Sequence, residues 1–323
     1  MTSTNIALAD GFTDGVYEEG ISEVLRGLLY IPRQLSHTWL YDERGSRLFE
    51  KICQLPEYYL TRTETAIMRA HAPDMAALLG SDLAVIEFGS GNSDKICPLF
   101  DALPRLQAYM PIDIAASSLA RVTRSMQHDY PQVAVLPLCA DFTRKLELPL
   151  AVSNNPRRLV YFSGSTLGNY EPADAVRVLS SMRELAGTAG AALVGIDLHK
   201  ERSILEQAYD DAQGVTAEFN LNALRHVNRR LGLAFDISRF RHRAIWMEAE
   251  QRIEMHLIST ANQTVRMGAG VIRMQRGEFI RTECSHKYTP ESFAALAREA
   301  GLQVRASWTD PQRWFGVQLL TAL

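Results

Sequence analysis

Only four cysteines occur in 323 residues: Cys53, Cys97, Cys139 and Cys284. They lie far apart, with no Cys-x-x-Cys pair. That spacing excludes a disulfide scaffold and a zinc ribbon, and it fits a reducing compartment, so a cytoplasmic location is expected. Basic charge is not in excess. Lys and Arg number 34 against 37 Asp and Glu, a formal net charge of −3. Nothing here favours a polyanion held by bulk charge, so no nucleic-acid partner is expected. The longest apolar runs, such as 83–88 and 136–140, are strand-length and far below the roughly 18 residues a bilayer-spanning helix needs, so no membrane association is expected. Residues 1–15 lack the basic cluster and apolar core of a secretory signal. The eight histidines show no His-Glu-x-x-His or other paired spacing, and no metal is expected. Internal repeats, low-complexity tracts and Gly/Ser linkers are also missing.

What the chain does have is the composition of a folded globular protein, 46% hydrophobic and 22% charged. At roughly 150 residues per domain, its length suggests about two domains. From residue 83 onward, apolar runs alternate with helix-length segments. The runs are 83–88, 107–112, 133–138, 159–162 and 191–196. They are rich in branched and aromatic side chains and apolar on both faces, as strands of a buried parallel sheet are. Between them, 115–128 places Leu119, Val122 and Met126 on one helical stripe. Residues 172–186 start at Pro172, carry Val176, Leu179, Met182 and Leu185 on one face, and stop at Gly187.

After residue 196 the alternation stops. Residues 199–283 read as a separate α+β insert, with a long helical stretch at 204–231, strands at 252–259 and 264–269, and a turn-bounded run at 277–282. The run Arg239-Phe240-Arg241-His242-Arg243 is the best signal for RNA contact, and it reads more simply as a solvated face near the insert. His199, His226, His242 and His286 read as surface or structural. A helix at 290–300, closed by Gly301, and strands at 303–308 and 315–320 resume the α/β pattern. Their six-residue link is too short for a right-handed crossover, so these last two strands should be antiparallel. The expected fold is therefore α/β. A seven-stranded Rossmann-like sheet with an antiparallel last strand is the plan of class I S-adenosylmethionine-dependent methyltransferases, and an NAD-binding Rossmann domain lacks that terminal hairpin.

The first strand runs into Glu87-Phe88-Gly89-Ser90-Gly91-Asn92-Ser93-Asp94-Lys95. Gly89 and Gly91 let the backbone turn sharply and a ligand approach closely. The dinucleotide fingerprint wants a third glycine where this chain has Asp94. The second strand ends at Asp113, 22 residues after Gly91 (113 − 91), where a carboxylate can accept from ribose hydroxyls. The third ends in Cys139-Ala140-Asp141-Phe142, so that Asp141 can accept from an adenine amine and Phe142 can pack on the ring. The fourth ends in Phe162-Ser163-Gly164-Ser165-Thr166-Leu167-Gly168-Asn169. It lacks the Asn/Asp-Pro-Pro-aromatic signature of base-amine methyltransferases. It either offers backbone groups and Asn169 to a small polar substrate or is a structural Gly-Ser turn. Ser90 and Ser165, inside these two turns, are counted with the cofactor contacts.

The chain also carries Trp39-Leu40-Tyr41-Asp42 and Leu55-Pro56-Glu57-Tyr58-Tyr59 with Thr61-Arg62-Thr63-Glu64. Further on stand Tyr209-Asp210-Asp211 with Gly214-Val215-Thr216, Arg252-Ile253-Glu254-Met255, and Glu283-Cys284-Ser285-His286-Lys287-Tyr288. By these motifs and the two glycine turns, the chain from about residue 31 to 323 resembles the L-histidine Nα-methyltransferase family of the ergothioneine pathway. The resemblance implies a methyltransferase core at 63–198 and 287–323, and a second, α+β substrate-binding domain formed by 1–62 and 199–286. It implies S-adenosylmethionine as cofactor, leaving as S-adenosylhomocysteine, with Tyr41, Phe49, Gly89, Lys95, Asp113, Asp141 and Phe142 around it. Tyr58, Gly164, Asn169 and Tyr209 would meet the carboxylate and amine of the substrate L-histidine. Glu283 and Ser285 would hold the imidazole, with Met255 shaping that pocket. Three successive transfers would yield trimethylhistidine, with Tyr41 as the candidate for receiving or relaying the proton. No obligate protein partner is implied. The competing readings are an N-methyltransferase of another amino acid or a histidine derivative, an RNA or protein methyltransferase, and a cofactor-binding regulatory module without catalysis.

Overall fold

A computed structural model describes residues 24–29, 31–91, 94–267 and 270–323. The signal-sequence reading of 1–15, Asn92 and Ser93 of the first glycine turn, and the end of the strand expected at 264–269 lie outside the described residues.

Residues 24–29 are helical. The two-residue strand β1 (Arg33–Gln34) and a 3-10 turn (His37–Leu40) lead to α1 (Glu43–Ile52) and the long α2 (Tyr59–Leu79). Then follow β2 (Leu83–Phe88), α3 (Cys97–Ala102), β3 (Leu106–Asp113), α4 (Ala116–Asp129), β4 (Ala134–Val135), β5 (Leu138–Cys139), α5 (Leu150–Ser153), β6 (Arg158–Phe162), α6 (Pro172–Ala186) and β7 (Ala191–Asp197). The next stretch holds α7 (Arg202–Tyr209), α8 (Val215–Leu231), β8 (Phe240–Met247), β9 (Arg252–Ser259), β10 (Gln263–Met267), β11 (Gly270–Met274) and β12 (Phe279–His286). The chain ends with α9 (Pro290–Glu299), β13 (Leu302–Thr309) and β14 (Phe315–Ala322).

The large sheet runs β13-β14-β7-β6-β2-β3, with β4 and β5 both on the outer edge of β3. β14 is antiparallel to both neighbours, and the pairings from β7 to β5 are parallel. This is the class I methyltransferase plan, with its third strand in two pieces. The single strand expected at 133–138 is interrupted because Pro137 has no N–H to give the ladder. The Leu136 amide still reaches the Tyr109 carbonyl at 2.8 Å, and pairing resumes at Leu138.

Side chains on these strands alternate between two layers. Val85, Tyr109, Leu159, Tyr161, Leu193 and Phe315 face α2 with its Ile67, Met68 and Met75. Ala84, Ile86, Met110, Val160, Val194 and Ile196 face the other way, toward α6 and α9. The first layer continues without a break into Tyr58, Tyr209, Phe219 and Met255, so the aromatic pocket described below grows directly out of the core.

The second sheet runs β1-β12-β9-β8, and β10 and β11 form a separate hairpin. The helical stretch expected at 204–231 is two helices. Gly214 takes φ +73°, and the Asp211 carboxylate caps α8 by accepting from the Val215 amide at 3.0 Å and the Thr216 amide at 2.7 Å. Of the turn-bounded run at 277–282, residues 279–282 form the first half of the longer β12 and 277–278 precede it. The basic run at 239–243 opens strand β8, with Phe240 and Ala244 buried and Arg241 and Arg243 exposed. His242 points inward, its ring nitrogens 2.8 Å from the Tyr209 carbonyl and 2.8 Å from Asn220 Nδ2. Among the described residues, no helix is long and apolar enough to cross a membrane.

Candidate active site

The cofactor side is built at the carboxyl ends of β2 and β3. Gly89 (φ +65°) and Gly91 (φ +52°) occupy the left-handed region that strains any other residue. The Gly89 amide donates to the Ile112 carbonyl at 2.9 Å, which ties the turn to β3. Among the described residues, a side-chain carbon at Gly89 would meet no atom closer than the Phe142 ring at 4.0 Å, and one at Gly91 none closer than the Gly89 carbonyl oxygen at 3.8 Å. Against these residues, conformation rather than crowding demands glycine. Asp113 receives the Gly91 amide at 3.2 Å and the Ala115 amide at 2.8 Å, and burial pushes its carboxyl up. A glycine turn beside a strand-end carboxylate suits the ribose and amino-acid portions of S-adenosylmethionine.

Asp141 turns its Oδ1 back to the Thr143 amide and hydroxyl, at 2.9 and 2.6 Å. Phe142 stacks on Phe88 with ring centroids 4.7 Å apart. Ser90 is buried, and the buried Ser165 hydroxyl accepts from the Asp197 amide at 2.8 Å. Lys95 Nζ lies 2.9 Å from Glu64 Oε2. Burial opposes the Lys95 charge, but Glu64 outweighs it and raises the pKa. Gly164 (φ +74°) commits its N–H to the same carboxylate.

The side where the substrate is expected is walled by aromatic rings. Tyr41 stands edge-on to Phe49 at 5.6 Å and to Phe219 at 5.4 Å. Phe49 meets Tyr58 at 6.0 Å, and Tyr58 meets Tyr209 at 6.1 Å. Burial, and then the charge of Glu283, push the Tyr41 phenol well up, so it stays protonated. On β12, Glu283 pairs across the sheet with Met255, which is 2% exposed. Glu283 Oε2 has no hydrogen-bond partner among the described residues. Burial raises this carboxyl to about 7, against the pull of Lys287. Ser285 Oγ is 2.9 Å from the Tyr209 hydroxyl. Asn169, with His37, Glu171, Arg281, Glu283 and Cys284, lines a cleft of about 740 Å³.

The structure thus gathers Tyr41, Phe49, Tyr58, Tyr209, Met255, Glu283 and Ser285 on one side, and Gly89, Ser90, Gly91 and Asp113 on the other. Glu64, to which the sequence reading gave no role, pairs with Lys95 and accepts from the Gly164 amide, so it links the two glycine turns. Asp197, Lys200 and Lys287 were likewise missed. Asp197 ends β7, and the carboxyl ends of parallel strands are where sites form, so extending the run 191–196 by one residue would have found it. Glu283, Ser285 and Lys287 follow a period of two, a signal lost because the strand was ended at 282.

Comparison with known proteins gives the family. Residues 21–322 match the family model described as histidine-specific methyltransferase, SAM-dependent. The histidine N-alpha-methyltransferase of Mycolicibacterium smegmatis is 40% identical over 302 residues, covering 92% of this chain and 93% of that protein. The enzyme of the same name from Mycobacterium tuberculosis is 39% identical over 92% of this chain and 93% of its own length. Ergothioneine biosynthesis protein 1 of Neurospora crassa is 32% identical over 90% of this chain, which spans 33% of that longer protein. The chain belongs to the family of S-adenosylmethionine-dependent, histidine-specific methyltransferases.

Proposed function

We propose that this protein transfers methyl groups from S-adenosylmethionine to the α-amine of L-histidine, three times, giving hercynine for ergothioneine biosynthesis. The observation that carries the substrate is Glu283: a buried carboxylate oxygen without a hydrogen-bond partner among the described residues, next to the Ser285 and Tyr209 hydroxyls. Such an atom is costly unless a ligand donates to it, and an imidazole N–H does so while its second nitrogen meets Ser285. Met255 shapes the floor beside the ring. Tyr58, Asn169, Gly164 and Tyr209 orient the carboxylate and amine.

S-adenosylmethionine supplies an electrophilic methyl group on its sulfonium. Gly89, Ser90, Gly91, Lys95, Asp113, Asp141, Phe142 and Ser165 are the residues assigned to hold it, with Phe49 and Tyr41 between the two ligands. The protein aligns the amine with the methyl group and excludes water. An α-amine with a reference pKa of about 8 needs little help to lose its proton, and burial lowers it further. Because the Tyr41 phenol stays protonated, it relays a proton rather than holding it as a phenolate. Tyr41, Phe49 and Tyr58 stabilise the growing cationic head by cation–π contacts of roughly 0.5–2 kcal/mol.

We assign residues 63–198 and 287–323 to the cofactor-binding core, and 1–62 and 199–286 to the substrate-binding domain. Support comes from the large sheet, which draws β2–β7, β13 and β14 from the first set, and from β1, β8, β9 and β12, which lie in the second. The same reading places the enzyme in the cytoplasm, with no nucleic-acid, membrane or obligate protein partner. The test is to incubate the protein with S-adenosylmethionine and a panel of free amino acids and weigh the products. Histidine gaining three methyl groups is expected. Unmodified histidine beside a methylated alternative would overturn the substrate assignment.

A further inference from the structure

Lys287 follows directly after β12, and its side chain is fully buried. Its Nζ contacts Asp197 Oδ2 at 2.8 Å, the Tyr209 hydroxyl at 2.9 Å and Ser285 Oγ at 2.8 Å. An ammonium has three N–H donors and no acceptor, so all three are spent. Asp197 is itself anchored by Lys200 at 2.6 Å and by the Tyr59 hydroxyl at 2.8 Å. Burial works against the Asp197 charge, but the two lysines outweigh it and hold its carboxyl below the usual range. The cation is therefore fixed in place from behind.

The Tyr209 and Ser285 oxygens lie 2.9 Å apart, so one hydroxyl donates to the other. Each also accepts from Lys287. Whichever hydroxyl accepts twice keeps its own proton, which must point away from the triangle. The triangle thus offers its ligand an O–H donor backed by a positive charge. Glu283, two residues before Ser285 and on the same face of the strand, offers an acceptor.

We propose that Lys287 is a specificity-positioning residue: it fixes the Ser285–Tyr209 pair as a donor, so that the pocket selects a neutral ring bearing one N–H, for Glu283, and one lone pair, for the hydroxyl. A ring with two N–H groups, or with no second nitrogen, leaves the donor opposed or unpaired. The inference rests on the assignment of Glu283 and Ser285 to the imidazole.

The test compares L-histidine with its two pyrrole analogues, in which one or the other ring nitrogen is replaced by carbon. Wild-type kcat/KM is expected to fall about 10- to 100-fold for both analogues, the cost of leaving a buried donor unpaired. In Lys287→Met, kcat/KM for histidine is expected to fall by a similar factor, chiefly through KM. The preference for histidine over the analogues should shrink to roughly threefold or less, while S-adenosylhomocysteine affinity is unchanged. Lys287→Gln keeps N–H donors without the charge and should recover part of the preference, which a purely structural role would not require. Equal use of the analogues by the wild type, or full discrimination retained in Lys287→Met, would overturn the proposal. Where Lys287→Met does not fold, Lys287→Gln decides: a weakened preference supports the proposal, and full wild-type discrimination retained there overturns it. Absence of any histidine methylation by the wild type would instead overturn the functional reading itself.

Discussion

Glu64 and Lys95 form an ion pair at 2.9 Å in which the carboxylate is wholly inside the protein. The same carboxylate accepts from the Gly164 amide and, at 3.0 Å, from the Tyr161 hydroxyl. One side chain of α2 therefore ties the glycine turn after β2 to the glycine turn after β6. Removing one partner of a buried pair commonly costs about 3–5 kcal/mol. Glu64→Gln is expected to lower the thermal midpoint by several degrees and to weaken S-adenosylhomocysteine binding roughly tenfold or more. A thermal scan checks the midpoint and calorimetric titration the affinity, and unchanged affinity would restrict Glu64 to a structural role.

Glu283 couples stability and recognition in opposite senses. Its carboxyl titrates at about 7 when folded, and at about 4.5 when unfolded. Above pH 4.5 the unfolded chain releases this proton while the folded protein still holds it, so stability falls as pH rises from 4.5 to about 7 and then levels off. The shift corresponds to a penalty on the order of 3 kcal/mol. Glu283→Gln should therefore melt higher than the wild type at pH 8 and not at pH 4, while its KM for histidine rises. Melting curves of both proteins at the two pH values are the check, and equal midpoints at pH 8 would contradict the burial argument.

Tyr41 stands between the two halves of the site, within electrostatic reach of Asp113 on one side and Glu283 on the other. Tyr41→Phe keeps the ring against Phe49 and Phe219 and deletes only the hydroxyl. A proton relay predicts slower turnover at each of the three methylations with little change in KM. Resolved by mass over time, unchanged rates at all three steps would remove Tyr41 from proton transfer.

An ion-pair network around Glu254 ties the second sheet to the start of α6. Its carboxylate meets Arg252 at 2.6 Å, His256 at 2.7 Å and Arg281 at 3.2 Å, and Arg252 also reaches Glu171 at 2.8 Å, just before α6. Burial opposes the Glu254 charge, but His256 and Arg252 outweigh it and hold the carboxyl at about 2. This contribution, up to about 3 kcal/mol, is present above pH 4.5 and is lost as pH falls through 2. Denaturant midpoints between pH 5 and 2 should fall less steeply in Glu254→Gln than in the wild type; parallel slopes would argue against the network.

Sequence alone determined what depends on near neighbours along the chain. The two-sided apolar runs, the helices at 172–186 and 290–300, and the six-residue final link specify a parallel sheet with an antiparallel last strand. The Gly89–Gly91 turn and the strand-end Asp113 are likewise local, because positive φ and strand ends are properties of a few consecutive residues. Boundaries failed where one residue overrode the pattern: Pro137 splits the third strand, and the Asp211 cap with Gly214 splits the long helix. Only the tertiary structure decided the pairs that give the site its charge and its hydrogen-bond directions. Glu64 reaches Gly164 across 100 residues, Tyr209 reaches Ser285 across 76, and Lys287, just past the end of β12, reaches Asp197 at the end of β7. Burial and Coulomb coupling act through space, and no period along the chain encodes which distant charge will come to rest beside a buried carboxylate.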